Sequence, residues 1–119
     1  MRSKREDTAD SIQVREVSPG HIALRGRLAL DTATYAYEQG LAIIQAEREE
    51  RIEIDCSRVT KVDSAGLAVL IDWMAAARVQ GHRLCVSHVP AELAALAKIS
   101  EVEEILEQGV DCGAPVKNS

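Results

Sequence analysis

The apolar positions of this chain follow a period of two in some stretches and a helical period in others. Short alternating runs lie on both sides of a Ser-Pro-Gly turn at residues 18–20, which predicts a β-hairpin. Apolar runs at Ile52 and Ile54, and at Leu84 and Val86, predict two more strands. Helical spacing between these strands implies crossover connections, which are typical of parallel pairing. We therefore expect an α/β fold with about four strands in a mixed, mostly parallel sheet and amphipathic helices packed mainly on one face.

Three helices are predicted between and after the strands. The first begins at a cap residue, Asp31 or Thr32, and ends near residue 48. The second runs from about Ser64 to Val79, where a glycine follows that suits a helix end. The third begins after a proline at residue 90, a residue type that is common at the first position of a helix.

The two ends of the chain are polar, which predicts one domain between them. At 119 residues the chain is long enough for one domain and too short for two. Residues 1–11 are expected to form a flexible leader and residues 109–119 a flexible tail, with the domain at 12–108. Within that domain we expect a turn over residues 57–63 and a short element of undecided type at 101–106.

Composition and charge disfavour several classes of function. The formal net charge is -5, so the chain lacks the positive field that non-specific nucleic-acid binding requires. No apolar run reaches the roughly 20 residues that span a bilayer. The first residues contain no apolar signal segment. We therefore expect a cytoplasmic protein that contacts no nucleic acid and does not insert into the membrane.

The sequence contains no pattern that indicates catalysis, a cofactor or a bound metal. Its histidines are scattered and form no zinc-ligand cluster. Both the Gly-x-x-x-x-Gly-Lys-Ser/Thr phosphate loop and the Gly-x-Ser-x-Gly nucleophile elbow are absent. Asp55 and Asp63 are candidates for a carboxylate pair near Ser64, but no base or oxyanion arrangement accompanies them. We therefore expect a protein that is not an enzyme and holds no cofactor or metal.

The most informative segment is 59–70, where a predicted parallel strand leads into the second helix. Binding sites gather at the carboxyl ends of such strands. A helix start has unpaired backbone N–H groups and a partial positive charge, so it favours a phosphate. Ser64 is therefore a candidate phosphoacceptor, and Gly66 allows another backbone to approach closely. The alternative is plain capping, in which Asp63 or Ser64 accepts a hydrogen bond from the helix start.

The second predicted helix has apolar residues on two nearly opposite sides. One side, which includes Leu67 and Leu70, is expected to face the core. The other side includes Ala65, Val69 and Trp73, and a single helix on a sheet in so small a domain is not expected to bury both. We therefore predict an exposed apolar patch at Val69 and Trp73 that binds a partner. The alternative is that the first or third helix covers Trp73.

One long stretch of the sequence resembles the signature of STAS domains. A strand that reads Ile-Glu-Ile-Asp at 52–55 leads to Asp-Ser-Ala-Gly-Leu at 63–67, and the second element is fairly specific when it lies between a strand and a helix. The resemblance continues through residues 80–84 and 90–93 and covers most of residues 12–106. The STAS family includes bacterial anti-sigma-factor antagonists and the MlaB subunit of the Mla phospholipid-transport ABC complex.

The resemblance implies a STAS fold and a docking function. In the MlaB branch, the residue that matches Ser64 lies where the domain meets its ATPase subunit. In the antagonist branch, the matching residue is phosphorylated by a partner kinase. The runs Cys-Ser-Arg-Val at 56–59 and Gly-Leu-Ala-Val-Leu at 66–70 are more similar to MlaB-type sequences. Ala29 departs from the family pattern, since many members carry an aspartate there, and this weakens the kinase-switch interpretation more than the docking one.

The resemblance to MlaB implies a non-catalytic accessory subunit that binds the cytoplasmic ATPase of an Mla-type ABC phospholipid transporter, which maintains outer-membrane lipid asymmetry. Such a subunit is cytoplasmic and peripheral to the inner membrane through its complex. The alternative is an anti-sigma factor antagonist that a kinase switches by phosphorylating Ser64. A third interpretation is a small-molecule sensor that uses the cleft beside Ser64. The predicted partner-binding residues are Asp63, Ser64, Ala65, Gly66, Val69 and Trp73.

Overall fold

The computed structural model describes residues 11–99, which form four strands and three helices. The strands are β1 (Ile12–Ser18), β2 (His21–Leu28), β3 (Arg51–Val62) and β4 (Arg83–Ser87). The helices are α1 (Ala33–Ala46), α2 (Ser64–Val79) and α3 (Ala91–Ile99). The predicted leader, the predicted tail and the predicted element at 101–106 lie outside the described residues, apart from residue 11.

The four described strands form one mixed sheet in the order β1-β2-β3-β4. β1 and β2 pair antiparallel as a hairpin, and β2, β3 and β4 pair parallel. Helix α1 connects β2 to β3, and α2 connects β3 to β4. Because both crossovers advance in the same direction and share one hand, the two helices lie on the same face of the sheet. The predicted fold class is confirmed.

Strand β3 is longer than its apolar pattern indicates. The turn expected over residues 57–63 is wrong, because β3 continues to Val62. Its register against β2 shifts twice, once after Ala23 and once after Gly26, and each shift inserts one extra residue into β3. A bulge interrupts the period-two alternation of side chains without ending the strand. In the sequence, such an interruption of the apolar pattern resembles a turn.

Trp73 lies in the core between the sheet and the helices, so the exposed patch expected at Val69 and Trp73 is wrong. Trp73 is 0% exposed and Val69 is 5% exposed. The reason is that α1 packs on the second apolar side of α2. Gly40 in α1 permits this contact, since a Cβ atom there would lie 2.3 Å from Cζ2 of the indole. The indole N–H donates a hydrogen bond to the carbonyl oxygen of Tyr37 at 3.1 Å.

Within residues 11–99, no helix is both long enough and apolar enough to cross a membrane.

Candidate docking site at the start of helix α2

The start of α2 lies at the carboxyl ends of the two central strands, β2 and β3, which are parallel and end together. Val62, the last residue of β3, pairs with Leu28, the last residue of β2. Asp63 follows as the cap, and Ser64 is the first residue of the helix. Binding sites of open α/β sheets gather at the carboxyl ends of the strands, in the crevice that the following loops form.

Asp63 performs the capping that the sequence leaves open between it and Ser64. Its backbone is extended, with φ −127°, and its Oδ1 accepts a hydrogen bond from the N–H of Gly66 at 3.1 Å. Its Oδ2 accepts a second hydrogen bond from the N–H of Leu30 at 2.9 Å. The carboxylate therefore joins the loop after β2 to the first turn of α2, and it acts as a positioning group.

The hydrogen bonds to Asp63 favour its ionised form. Partial removal from water raises the pKa of Asp63, but the backbone N–H groups of Leu30, Gly66 and Ala65 outweigh this effect. The positive charge of Lys61 adds a smaller contribution in the same direction. The net result is a pKa below the usual value of an aspartate, so the carboxylate remains charged and keeps both tethers at neutral pH.

Ser64 is exposed, and its hydroxyl has no hydrogen-bond partner among the described residues. Because Asp63 supplies the cap, the helix start does not need the Ser64 side chain. A phosphate on this hydroxyl would meet two opposing fields: the partial positive charge of the helix start attracts it, and the Asp63 carboxylate repels it. Because the Ser64 hydroxyl is exposed and has no hydrogen-bond partner among the described residues, it is available to bind a partner or to accept a modification.

Leu30 provides exposed apolar surface beside Ser64, and the apolar pattern of the sequence does not reveal it. Its side chain is 78% exposed, although its N–H is bound to Asp63. Leu30 continues the inward alternation of Leu24 and Leu28, which are both buried, so a period of two would place it in the core. Strand β2 ends at Leu28, and the turn that follows directs Leu30 outward.

The turn that positions Leu30 is held by the buried side chain of Thr32. Its Oγ1 accepts a hydrogen bond from the N–H of Ala29 at 3.0 Å and donates one to the carbonyl oxygen of Arg27 at 2.8 Å. The guanidinium of Arg27 also forms an ion pair with Asp31. These contacts, together with the Asp63 tether, fix the backbone of Leu30 at both ends of the turn.

Gly66 serves the packing of the domain itself. It is buried, and a Cβ atom at this position would lie 2.1 Å from the carbonyl oxygen of Leu28. The close approach predicted for this glycine is therefore made by β2 of the same chain and not by a partner. Ala68, four residues after Ser64 and on the same side of α2, is exposed, and Ala65 is half-buried.

The structure thus divides the six predicted binding residues into two groups. Asp63, Ser64 and Ala65 lie together at the helix start, whereas Gly66, Val69 and Trp73 are buried in the domain. We define the α2-start surface as Leu30, Ser64, Ala65 and Ala68.

The carboxylate pair considered from the sequence does not form. Asp55 and Asp63 are separated by most of β3, which corresponds to roughly 25 Å of extended chain. Asp55 instead accepts a hydrogen bond from the N–H of Ser57 at 2.9 Å and contacts Nδ1 of His88 at 3.2 Å. Among the described residues there is no group of three or more His, Cys, Asp or Glu side chains arranged to bind a metal.

Most of this chain matches the model of one protein family. The family model described as "Mlab, STAS domain" matches residues 12–107. The chain belongs to this STAS family. A search of curated proteins found no match to this domain.

Two solved structures share the STAS fold with this domain at low sequence identity. The anti-sigma factor antagonist SpoIIAA, in its unphosphorylated form, has a TM-score of 0.59 and 14% identity over 83% of this chain and 84% of its own. A sulfate transporter family protein from Wolinella succinogenes has a TM-score of 0.61 and 18% identity over 81% of this chain and 80% of its own. These likenesses confirm the fold, which occurs in both antagonists and transporter proteins.

Proposed function

We propose that this STAS domain is a non-catalytic accessory subunit that binds the cytoplasmic ATPase of an Mla-type ABC phospholipid transporter. The match of residues 12–107 to the Mlab family supports the choice of transporter. Binding occurs through the α2-start surface and regulates or stabilises the ATPase. The subunit then acts on the cytoplasmic side of the inner membrane, held there by its complex, and contributes to outer-membrane lipid asymmetry.

The observation that carries this proposal is an exposed helix start that combines a free hydroxyl with an apolar side chain. Ser64 has no hydrogen-bond partner among residues 11–99, and Leu30 is 78% exposed. An apolar contact supplies most of the binding free energy in a small interface, and a polar group beside it sets the orientation.

The α2-start surface is also largely prepared for binding. The Asp63 carboxylate accepts a hydrogen bond from the N–H of Leu30 at 2.9 Å and so fixes the backbone there. Binding therefore loses little conformational entropy at this residue. Ala65 and Ala68 have short side chains, which allow a partner to approach the helix backbone closely. Docking of this kind needs no chemical step, in agreement with a non-catalytic subunit.

Co-purification with the ATPase subunit tests the proposal. Leu30→Asp replaces the apolar contact by a charge, and Ser64→Glu adds a charge beside Asp63; each is expected to reduce the recovered ATPase at least tenfold. Val79→Asp is the matched control, because Val79 is 85% exposed at the opposite end of the same helix. Equal recovery of the ATPase with all three variants would contradict the proposal.

The second candidate function is a phosphorylation-switched anti-sigma factor antagonist, and the exposed Ser64 hydroxyl favours it. Unmodified Ser64 permits docking, and a phosphate adds about -1.5 to -2 charge units that block it. Intact-mass measurement after incubation with the cognate anti-sigma factor kinase and ATP distinguishes the two functions, with Ser64→Ala as the control. A chain that gains no phosphate at Ser64 under these conditions is not such an antagonist.

A further inference from the structure

The face of the sheet opposite the helices contains a pocket of about 390 Å³. Side chains alternate along each strand, so Gln13 and Arg25 point away from the core that buries Ile12 and Leu24. The pocket therefore lies on the face of the sheet that α1 and α2 do not cover. It is lined by Gln13, Arg25, Gly26, Ser57, Arg58 and Thr60.

Two arginines lie side by side on neighbouring strands at this pocket. Arg25 on β2 and Arg58 on β3 are direct partners in the strand register. Both side chains are exposed, and neither has an ion-pair or hydrogen-bond partner within the described part of the chain. Like charges at opposite positions of neighbouring strands repel each other. A bound anion between the two guanidinium groups would replace this repulsion by attraction.

The two bulges of β3 bring hydroxyl groups to the same pocket. In a regular strand Ser57 and Arg58 would point to opposite faces of the sheet, yet both line the pocket. The register shifts that surround them, between Ala23 and Arg25 and again after Gly26, account for this change. Bulges are rare between parallel strands, and they redirect side chains beside binding sites.

Gly26 lines the pocket with backbone atoms alone, and only glycine fits at this position. Its φ is +110°, a conformation that side chains disfavour, and a Cβ atom there would lie 2.1 Å from the carbonyl oxygen of Ser11. The backbone of residue 11 therefore approaches the pocket closely beside Arg25.

Two carboxylates on this face, among the residues that the structure describes, are engaged elsewhere. Asp55 accepts the N–H of Ser57 at 2.9 Å and contacts His88, and Glu53 accepts the hydroxyl of Ser87 at 2.7 Å. Neither carboxylate lines the pocket. The pocket is thus locally positive although the whole chain has a net charge of -5.

We propose that this pocket binds a phosphate-type anion, with the guanidinium groups of Arg25 and Arg58 holding its oxygens and the hydroxyls of Ser57 and Thr60 donating hydrogen bonds. A guanidinium presents two parallel N–H donors, which match the spacing of two phosphate oxygens. The shared ligand chemistry is a phosphate ester, carried by a small soluble compound or by a lipid headgroup. This proposal does not depend on the partner of the α2-start surface.

Two titrations of the full chain test the anion site and separate its two ligand sources. The first uses glycerol 3-phosphate in isothermal titration calorimetry, and the second uses co-sedimentation with phosphatidylcholine vesicles that contain phosphatidylglycerol. We expect saturable binding of at least one probe, weakened at least fivefold by Arg25→Gln or Arg58→Gln and lost in the double variant. Binding of the soluble ester alone assigns a soluble ligand, and vesicle binding that needs both arginines assigns a lipid headgroup.

Arg15→Gln is the matched control for these titrations. Arg15 is exposed on the same face of the sheet and does not line the pocket. Its substitution by glutamine removes the same charge as Arg25→Gln. Its variant is expected to bind the same probe within twofold of the unmodified chain. The absence of saturable binding to both probes, or an equal loss in Arg15→Gln and Arg25→Gln, would overturn the proposal, since the second result would reflect only the general charge of the surface.

Discussion

The middle of helix α2 and its start differ in what covers them. At the middle, Trp73 is apolar and large, yet it is 0% exposed because α1 packs over it at Gly40. At the start, nothing described covers Ser64, and a neighbouring turn adds the exposed side chain of Leu30. A second apolar side on a helix therefore marks a docking surface only when no neighbouring helix approaches it. In this domain a single glycine allows that approach.

Removal of the Trp73 indole is expected to have the largest effect on stability. A small loss of stability would contradict the difference drawn between the middle and the start of α2. Trp73→Ala deletes the largest fully buried side chain, so the free energy of unfolding should fall by about 3–5 kcal/mol. Urea denaturation followed by circular dichroism measures this change. A loss below about 1 kcal/mol would show that Trp73 is not part of the core.

The glycine in α1 gives the next largest effect. Gly40→Ala places a methyl group 2.3 Å from the ring of Trp73, and this overlap should lower stability by about 1–3 kcal/mol. An exposed helical glycine changed to alanine would instead gain up to about 1 kcal/mol, so the sign of the change is diagnostic. Adding Trp73→Phe should recover part of the loss in a double-mutant cycle, because the smaller ring leaves space for the methyl group.

The cap at the start of α2 gives a smaller and pH-dependent effect. Asp63→Ala removes the hydrogen bonds to Gly66 and Leu30 and should cost about 1–2 kcal/mol at pH 7. The pKa of Asp63 is lowered in the folded state, so its contribution is present above the unfolded-state value of about 3.9 and is lost as pH falls through the lower folded-state pKa. Thermal melts of both proteins should therefore converge in acid; a difference that grows below pH 4 would contradict this account.

The smallest effect on stability is expected at the exposed residues of the α2-start surface. Ser64→Ala and Leu30→Ser alter side chains that contact little of their own domain, so the free energy of unfolding should change by less than about 0.5 kcal/mol. Their affinity for the ATPase subunit should nevertheless fall. A destabilisation above about 1 kcal/mol for Ser64→Ala would assign the hydroxyl a structural role instead.

The apolar pattern predicted most of the fold correctly because each element buries one side. Ile52 and Ile54 are both fully buried in β3, and the helix expected from Ser64 to Val79 has those bounds in the structure. The family signature at 63–67 then placed the candidate site at the start of α2. These features are local, and a single sequence contains them.

The features that the sequence did not predict depend on contacts between distant residues. The cover over Trp73 depends on Gly40, which is far from it in the sequence and gives no apolar signal. The exposure of Leu30 depends on where β2 ends, since a strand that continued through Leu30 would direct its side chain into the core. The bulges of β3 likewise arise from pairing with β2 and are not encoded as turn residues.

Nuclear magnetic resonance of the ¹⁵N-labelled chain, titrated with the unlabelled ATPase subunit, tests directly whether the start or the middle of α2 is the docking surface. Trp73 is the only tryptophan in the sequence, so its indole N–H gives one assignable signal from the middle of the helix. We predict large shifts for the amides of Leu30, Ser64 and Ala68, with little change at the Trp73 indole. A large shift of the indole with unchanged signals from Leu30 and Ser64 would contradict the account.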